Sequence, residues 1–572
     1  MPKIVTVEQM RAIEQASDAK GHTYADMMQL AGRAVAERVK QLLIDIPEPR
    51  VAILVGTGNN GGDGLVVARL LAEEVENATV GAFLLQMRDE SDDVFVAARD
   101  AGVFMADVEN DKPAGYRVLQ NLIANADVMI DALFGTSLRL PIRGDASKVL
   151  QTVNKALTLR RTERPAPPFI TPADPPDFER DAEPVIVAVD CPSGLHCDTG
   201  EIDKHTIRAH ETITFAAAKP GLFKFPGANA VGTLHIGNIG LPGNLPELND
   251  ITLTLVDAAE VAARLPKRPR DSYKGTFGKT LVVAGSLNYT GAAYLAASAA
   301  YRVGAGWVTV GAPQIIIPTL AGMLPEATWI LLPHDMGVIN AAAVKVLREE
   351  IENYTALLLG PGFGTEDVTG EFLRELLQPK EEVKRSRAIG FVPLGAEEAG
   401  QVPASGAHMP PLVIDADALN LLAGMGDWPS LVPPNTILTP HPGEFARLSK
   451  METGDIQADR IAAAQAKAAD WRCVVVLKGA FTVVAAPDGR TAVQPFATSA
   501  LASAGTGDVL AGSIVGLLAQ GLDPYDAALA GAWLHGMAGV RAELVYDTAA
   551  SITAGDVLES LPDAYALAEQ TT

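Results

Sequence analysis

The chain contains little cysteine and comparatively little positive charge. Three cysteines among 572 residues are too few for a disulfide framework, and none forms a C-x-x-C pair, so we expect a reducing, cytoplasmic environment. Lys and Arg number 46 against 69 Asp and Glu, which gives a formal net charge of −23. This excess disfavours nucleic acid and anionic membranes as partners. Helix N-termini and backbone amides can still hold a small anionic substrate.

Long apolar segments are lacking as well. The opening segment, MPKIVTVEQMRAIEQ, has no apolar run of signal-peptide length. No uncharged stretch approaches the roughly 18 residues that would predict a membrane span. The most apolar segment, which follows Asp508, is rich in Gly and Ala and is predicted to be a buried helix. We therefore expect no membrane partner.

What the sequence offers instead is a regular alternation of strands and helices. VAILV leads into the glycine-rich string GTGNNGGDG at residues 56–64, and LVVARLLAEE follows with helical spacing. This order is typical of a βαβ unit. The alternation pauses at LPGNLPELND and starts again at KTLVVAGS. The pattern predicts an α/β fold, with a Rossmann-like three-layer sandwich over residues 1–245 and a second α/β domain over 255–572.

Two kinds of local signal refine this organisation. Thr6 with Gln9 has the spacing of a capping box, and Thr23 with Asp26 indicates another helix start. Segments near 161–184 and 379–411 are rich in proline or charge and break the alternation, so each is predicted to be an exposed insertion, one in each domain.

Acidic residues follow apolar strands in the first half. Asp131 opens the string DALFGTSLRLPIRG, and Asp190 and Ser193 lie in VDCPSG. Ligands of open α/β sheets bind outside the carboxyl ends of the strands, so these loops and GTGNNGGDG are the candidate site. Glycines let the backbone approach a phosphate or a ribose closely. An ordinary tight turn would also explain the glycines, and turn formation would explain both acids.

Together these strings, with TVEQMRAIE and TFAAAKPGL at Lys219, resemble the YjeF N-terminal family, the NAD(P)H-hydrate epimerases, over about residues 1–245. The resemblance implies a substrate that is NADH or NADPH with water added across a ring double bond. It also implies a potassium ion held by Asn60, Asp131 and Ser193. We expect Asp131 to be the acid/base group. The implied substrate contacts are Asn59, Asn60, Gly61, Gly62, Asp63, Gly135, Thr136, Ser137, Leu138, Arg139, Leu140, Pro141 and Asp190.

The loop that begins at Gly135 departs from the family pattern G-T-G-L-x-R-P. Ser137 replaces a glycine, and Leu140 stands where the family has an arginine before Pro141. We expect Arg139 or Arg143 to take over the phosphate contact.

The most specific string of the second half is SAGTGDVLAGSIVG. Gly505 and Gly507 allow tight backbone turns, and the amides that start the following helix can form an anion hole. Asp508 is placed to act as a base on a hydroxyl beside that hole, which is the combination that phosphoryl transfer needs. A capped helix with Asp508 in its first turn is the structural alternative.

With SYKGTFGK, LGPGFG, VIDADALN, TPHPGEF and VLKG, this string resembles the ribokinase-like family over about residues 255–560. Within it, the ADP/ATP-dependent NAD(P)H-hydrate dehydratases share these motifs. The resemblance implies that ADP or ATP, with Mg²⁺, phosphorylates the hydrate hydroxyl, and that Asp508 is the base. The implied hydrate contacts are Ala292, Gly362, His441 and Asp508. The implied nucleotide contacts are Lys478, Gly479, Ala480, Phe481, Thr482, Gly505, Thr506 and Gly507.

Three residues of these motifs keep alternative roles. His441 of TPHPGEF could simply cap its loop. Asp415 and Asp417 of VIDADALN could be metal-linked or turn formers, and we favour structural roles or roles in support of the residues that contact the ligand.

The predicted function is therefore repair of hydrated nicotinamide nucleotides. One half would epimerise the R and S forms of hydrated NADH and NADPH, and the other would dehydrate the S form, releasing phosphate and AMP or ADP. The partners are small molecules, and the family implies a homo-oligomer. Two alternatives are a small-molecule kinase of the ribokinase superfamily and a non-enzymatic YjeF-like scaffold, which the acids and the negative charge disfavour. The sequence does not decide whether the phosphoryl donor is ADP or ATP, or whether the preferred substrate is NADH hydrate or NADPH hydrate.

Overall fold

The chain divides into two compact units. A computed structural model describes residues 1–163, 183–378 and 409–570. One unit is Pro2–Ile251, and the other comprises Met1 and Thr252–Thr572. The segments predicted as insertions, 161–184 and 379–411, lie mostly outside the described residues.

The N-terminal unit is built on a seven-stranded sheet in the order β3-β2-β1-β4-β5-β6-β7, in which every pair is parallel. Its strands are β1 (Arg50–Val55), β2 (Thr79–Leu84), β3 (Phe104–Asp107), β4 (Val128–Ala132), β5 (Val185–Val189), β6 (Glu211–Phe215) and β7 (Thr233–Gly237). Its helices are α1 (Val7–Ala19), α2 (Tyr24–Leu43), α3 (Asn59–Glu74), α4 (Asp93–Asp100), α5 (Val108–Asp111), α6 (Arg117–Asn125), α7 (Gly144–Glu163) and α8 (Pro246–Asn249). Short 3-10 helices span Lys112–Ala114, Pro220–Phe223 and Gly227–Ala230. The strand order reverses between β1 and β4, which is where such sheets bind ligands.

Apolar side chains cover both faces of this sheet. Along β1, Ile53 and Val55 belong to one buried cluster and Ala52 and Leu54 to another. Consecutive strand residues point to opposite faces, so an unbroken apolar strand must be covered by helices on both sides. The predicted three-layer sandwich is confirmed.

Helix starts follow the capping signals, with one correction. Thr6 with Gln9 and Thr23 with Asp26 form capping boxes at the starts of α1 and α2, as predicted. The glycine-rich string, however, is a loop only as far as Gly58. Its remaining residues form the first turns of α3, because glycines fit a helix that is pressed closely against its neighbours.

The C-terminal unit contains a ten-stranded sheet in the order β11-β10-β9-β14-β15-β16-β17-β18-β19-β8, parallel except where β18 pairs with β17 and β19. Its strands are β8 (Leu253–Leu255), β9 (Lys279–Val283), β10 (Trp307–Pro313), β11 (Thr328–Leu332), β14 (Ala356–Leu359), β15 (Leu412–Ile414), β16 (Ile437–Leu438), β17 (Val474–Leu477), β18 (Val483–Ala485) and β19 (Thr491–Val493), and β12 (His334–Asp335) pairs separately with β13 (Val338–Ile339). Its helices are α9 (Ala258–Arg264), α10 (Thr290–Arg302), α11 (Ile317–Met323), α12 (Ala343–Glu350), α13 (Asp367–Leu377), α14 (Asp417–Ala423), α15 (Pro442–Ser449), α16 (Thr453–Ala458), α17 (Arg460–Trp471), α18 (Thr506–Ala519), α19 (Pro524–Tyr546) and α20 (Ala554–Glu569). Short 3-10 helices span Lys274–Phe277, Ile351–Asn353, Trp428–Ser430 and Ser499–Leu501.

Helix α18 is the buried helix predicted after Asp508, and it packs directly on α10. A Cβ atom on Gly512 would collide with the carbonyl oxygen of Ala296, and one on Gly516 would lie 2.8 Å from the Cα atom of Ala300. Glycine therefore lets the two helix backbones approach each other. Within the described ranges, no helix combines the length and the hydropathy needed to span a bilayer.

This close approach predicts the effect of adding one methyl group. Gly512→Ala should lower the free energy of unfolding by about 1–3 kcal/mol, because the overpacked helices must separate. Gly454→Ala is the matched control, since Gly454 lies in α16 and a Cβ atom there would meet nothing within 4 Å. That control should leave stability unchanged or raise it by up to about 1 kcal/mol. Urea denaturation measures both, and equal effects would contradict the proposed close packing.

Candidate active sites

In the N-terminal unit, the glycine turn after β1 touches the backbone that follows β4. The Gly56 amide donates to the carbonyl oxygen of Ala132 at 3.0 Å, and a Cβ atom on Gly56 would collide with the carbonyl oxygen of Leu133. Gly58 then precedes α3 without any side-chain cap. The first amides of α3 are therefore placed to bind an anion.

Two of the three predicted potassium ligands contact each other at the end of β4. The Asp131 carboxylate accepts hydrogen bonds from the Ser193 hydroxyl (2.6 Å) and the Ser193 amide (2.7 Å). Asp131 is fully buried, and burial raises its pKa to about 6 although both bonds from Ser193 lower it. The third, Asn60, has a buried amide group that finds no hydrogen-bond partner among the described residues. A Cβ atom on Gly135 would lie 3.2 Å from that amide oxygen, so Asn60 faces the loop after Asp131.

The Asp190 carboxylate is held in a buried ion pair. It accepts a hydrogen bond from the Lys219 ammonium group at 2.6 Å and another from the Thr214 hydroxyl at 3.0 Å. Lys219 is 1% exposed. Lys219 lies in the string TFAAAKPGL, but the sequence does not predict its role, because 29 residues separate it from Asp190.

Asp63 lines a cleft of about 430 Å³ that also contains Asn59, Glu14 and Arg88. Burial raises the pKa of Asp63 well above its usual range, and the charges of Asp190 and Glu14 add to this, whereas Arg88 lowers it. Burial likewise raises the pKa of Glu14, with Asp190 contributing. Neither Glu14 nor Arg88 was predicted as a site residue, because Glu14 lies within a helix and Arg88 follows β2 outside any of the recognised motifs.

Arg88 also holds the glycine turn in place. One of its terminal nitrogens donates to the carbonyl oxygens of Gly56 (2.9 Å) and Gly58 (2.8 Å), and the other donates to Asp92 at 2.8 Å. Arg88 thereby connects the strand-end turn of β1 with the start of α4.

The loop at residues 135–141 contains the predicted phosphate contacts Gly135, Thr136, Ser137, Leu138, Arg139, Leu140 and Pro141. Arg139 and Arg143 are both exposed, and the replacement of the family arginine by either stays a prediction. A different arginine, Arg11 of α1, donates to the Ser137 hydroxyl at 3.0 Å. The serine that departs from the family pattern therefore contacts a cation from another element.

In the C-terminal unit, Asp508 lies in the first turn of α18, after Gly505 in the left-handed region at φ = 91°. Burial raises the pKa of Asp508 to about 7, and the charge of Asp415 adds to this while Lys478 lowers it. A Cβ atom on Gly507 would lie 3.4 Å from the Lys478 ammonium nitrogen. The fold thus brings together the anion hole, the acid and the predicted nucleotide loop.

Lys478 is the cation at the centre of this site. Its ammonium group donates to the Asp415 carboxylate at 2.8 Å and lies 3.8 Å from the Glu444 carboxylate. Burial alone would lower its pKa, but Asp415 and Glu444 outweigh burial and the pKa is raised. Asp415 is 1% exposed, and its second oxygen has no hydrogen-bond partner within the described part of the chain. Asp415 is therefore an ion-pair partner of Lys478, a role beyond that of a turn former.

His441 has the capping role that the sequence left open. Its ring nitrogen Nδ1 accepts a hydrogen bond from the Gly443 amide at 3.0 Å, and the Glu444 carboxylate accepts one from the His441 amide at 2.8 Å. Half of the His441 side chain remains exposed, so capping leaves the ring accessible to a ligand. Burial lowers the pKa of His441, with Lys478 contributing, and burial raises the pKa of Glu444 to about 6.

The other predicted contacts lie on neighbouring loops. A Cβ atom on Gly362 would lie 2.8 Å from the Cβ atom of Ala292, so these two predicted hydrate contacts adjoin. The Asp417 carboxylate accepts a hydrogen bond from the Gly364 amide at 2.9 Å, so it connects two of these loops.

The predicted nucleotide loop, residues 478–482, is held by a residue that sequence analysis missed. Arg460 donates to the carbonyl oxygens of Leu477, Lys478 and Ala480 at 2.7–3.0 Å. The remaining loop members are Gly479, Phe481 and Thr482, and the Thr482 hydroxyl donates to the Gly479 carbonyl at 2.9 Å. Arg460 begins α17 and carries no motif of its own.

Comparison with known proteins places the chain in a family. One family model, described as YjeF-related protein N-terminus, matches residues 24–221, and another, NAD(P)H-hydrate dehydratase, matches residues 280–383 and 394–562. A bifunctional NAD(P)H-hydrate repair enzyme of Moorella thermoacetica is 36% identical over 94% of this chain and 91% of its own length. The chain belongs to the family of bifunctional NAD(P)H-hydrate repair enzymes. A second such relative, from Salinibacter ruber, is 35% identical over 98% of this chain and 96% of its own.

Membership of the repair-enzyme family confirms the resemblance found in the sequence. These relatives match both halves of the chain, which favours a bifunctional repair enzyme over the two alternatives, an isolated kinase and a non-enzymatic scaffold. Among solved structures, an ADP/ATP-dependent NAD(P)H-hydrate dehydratase from Bacillus subtilis, co-crystallised with ATP/Mg²⁺, aligns with 31% identity and a TM-score of 0.44. That alignment covers 55% of this chain and 99% of the other.

The ion pair of Lys478 predicts a stability effect in this repair enzyme. Lys478→Met should lower the free energy of unfolding by about 3–5 kcal/mol, because it leaves the buried Asp415 carboxylate uncompensated. The double variant Lys478→Met/Asp415→Leu removes the stranded charge as well and should recover much of the loss. Chemical denaturation measures all three proteins. A double variant as unstable as the single one would show that the ion pair is not the cause.

Proposed function

We propose that this chain interconverts the R and S forms of hydrated NADH and NADPH in a domain at residues 1–245 and dehydrates the S form in a domain at 255–572. One observation carries the proposal: each unit combines a glycine-lined helix start with a buried, lysine-paired carboxylate where its strands end. The dehydratase family accepts one epimer, so a linked epimerase lets the whole hydrate pool be recovered. Because three cysteines are too few for a disulfide framework, we also propose a cytoplasmic location.

The dehydration step assigns a role to each part of the C-terminal site. Asp508, with a pKa of about 7, takes the proton of the hydrate hydroxyl as the oxygen attacks the terminal phosphoryl group of ADP or ATP. The amides at the start of α18 stabilise the charge that develops there. The C–O bond to the phosphate then breaks, the neighbouring ring carbon loses a proton, and the ring double bond is restored. Ala292, Gly362 and His441 contact the hydrate, and the loop at 478–482 holds the nucleotide.

The site fits a magnesium ion that is held mainly by the nucleotide. In the described ranges, no group of three or more His, Cys, Asp or Glu side chains is arranged to hold a metal. Mg²⁺ typically binds substrate phosphates together with one or two carboxylates. The unpartnered oxygen of Asp415 is the protein ligand that this arrangement favours, and the ion would neutralise charge on the transferred phosphoryl group.

The N-terminal site fits a potassium ion. The Asn60 side-chain oxygen is buried without a hydrogen-bond partner among the residues described, and it faces the loop that follows Asp131. Together with the Asp131 carboxylate and the Ser193 hydroxyl it supplies oxygen ligands for a cation. The ion would add positive charge beside the loop that begins at Gly135.

A mixture of both hydrate epimers tests the proposed function. With Mg²⁺, K⁺ and either ADP or ATP, nearly complete return of reduced-nicotinamide absorbance, faster than the epimers interconvert unaided, is the expected result. Asp508→Asn should lower the dehydration rate by about 10²–10⁴-fold. The wild-type rate should rise with pH and level off above about 7, because Asp508 acts as a base only when it is ionised. A stable phosphorylated product would favour a kinase instead, and no reaction would favour a scaffold.

Removal of potassium is expected to lower both the epimerisation rate and the thermal stability of the N-terminal unit. Replacing K⁺ with tetramethylammonium should slow epimerisation and lower the unfolding temperature, since ligand binding stabilises the folded state by about 2.7 kcal/mol at a hundredfold excess over Kd. Ser193→Ala removes one ligand and should abolish both effects of K⁺. Equal unfolding temperatures of the wild type in the two salts would contradict this site.

A further inference from the structure

The carboxylates of the N-terminal site differ in access and in partners. Asp131 is fully buried, and both of its oxygens accept hydrogen bonds from Ser193. Asp190 is paired with Lys219 at 2.6 Å. Asp63 is 9% exposed and reaches the cleft, where no described residue donates a hydrogen bond to its side chain. Asp63 is therefore a carboxyl group that a ligand in the cleft can contact and that accepts no hydrogen bond from the described residues.

The charges that face Asp63 come from three elements. Glu14 lies on α1, Asp190 follows β5, and Arg88 lies on the segment after β2. The guanidinium of Arg88 is already committed to Asp92 and to two carbonyl oxygens. Burial together with two neighbouring carboxylates favours the neutral, protonated form of Asp63. A protonated carboxyl group that reaches a cleft can donate its proton to a bound substrate.

We propose that Asp63 is the catalytic acid of the epimerase site and that Glu14 shares in its proton exchange. The proposal rests on the epimerase activity proposed above and assigns the acid/base role to Asp63 in place of Asp131. It follows from the access of Asp63 to the cleft, its lack of a hydrogen-bond donor among the described residues, and the presence of a second carboxyl beside it.

The chemistry requires one proton to move out and back. Asp63 donates its proton to the hydroxyl on the ring carbon beside the ring nitrogen. The C–O bond breaks, its electron pair leaves with water, and the nitrogen lone pair forms a C=N bond. Water then adds to the opposite face and forms a new C–O bond as the C=N pair returns to nitrogen. The proton that it releases returns to the carboxyl pair Asp63 and Glu14, so no oxidant or other reactant is needed.

The remaining acids have other tasks in this scheme. The negative charges of the cleft stabilise the cation that forms when water leaves. Asp190 is exposed to the same 9% as Asp63, but its carboxylate is held by Lys219 and Thr214, so we assign it the task of orienting the substrate. Asp131 has no surface that a substrate could reach and would bind potassium with Ser193.

Asp63→Asn in the full-length chain tests the proposal. Starting from purified R epimer, kcat for conversion to the S form should fall by about 10²–10⁴-fold, with KM within a few-fold of wild type. Asp63→Glu keeps a carboxyl group and should restore part of the rate. Asp45→Asn, at an exposed carboxylate of the same unit, is the matched control and should match the wild type.

Three internal comparisons keep the outcome decisive. Dehydration of the purified S epimer by the same Asp63→Asn chain should equal that of wild type, and its K⁺-dependent unfolding temperature should be preserved if the N-terminal unit is folded. Reaction in ¹⁸O-labelled water should place one solvent oxygen in the product at each inversion. Folded Asp63→Asn that retains more than a tenth of the wild-type rate, or inversion without ¹⁸O incorporation, overturns the proposal. If the wild type itself fails to invert the R epimer, the proposed epimerase function fails instead.

Discussion

Both sites depend on a glycine that lets one strand-end loop touch the next. Gly56 follows β1, and a Cβ atom there would collide with the backbone at Leu133, two residues beyond Asp131. In the second unit Gly360 follows β14, and a Cβ atom there would collide with the backbone of Asp415 itself. A side chain at either position would push the loops apart and separate the acid from the neighbouring helix start. The chemistry therefore rests on a close contact between two backbones at adjacent strand ends.

The sequence predicts those features of the fold and of the candidate sites that are encoded by a local pattern of residues. Alternating apolar segments indicated the sandwich, the capping boxes at Thr6 and Thr23 indicated two helix starts, and acids after strands indicated the side chains at the strand ends. The contacts of Arg88, Lys219 and Arg460 were not predictable, because each reaches its partner across a gap in the sequence and looks like an ordinary surface cation in its own segment. Only the folded sheet brings such a cation to a carbonyl or carboxylate from another element.

An overall charge of −23 makes the placement of cations a constraint on both sites. Carboxylates cluster where phosphates must bind, so each site uses helix amides together with a small number of buried cations. In the C-terminal unit Lys478 lies against Asp415 and Glu444. In the N-terminal unit Arg88 binds carbonyl oxygens of the glycine turn and so stiffens the backbone that faces the cleft. The local electrostatic field at each site therefore differs from the field that the overall net charge of the chain would produce.

Both units contain the same arrangement of charged residues, although each builds it on a different sheet. Each pairs one buried aspartate with a lysine, Asp190 with Lys219 and Asp415 with Lys478. Each leaves a second aspartate close by without an ion-pair partner among the described residues, and burial together with the paired acid raises the pKa of that second group, Asp63 or Asp508. The second group is therefore available for proton exchange with a substrate, whereas the neighbouring carboxylate is held in place by its lysine. In the proposed mechanisms both activities act on the same hydroxyl, which receives a proton from Asp63 in epimerisation and gives one to Asp508 in dehydration.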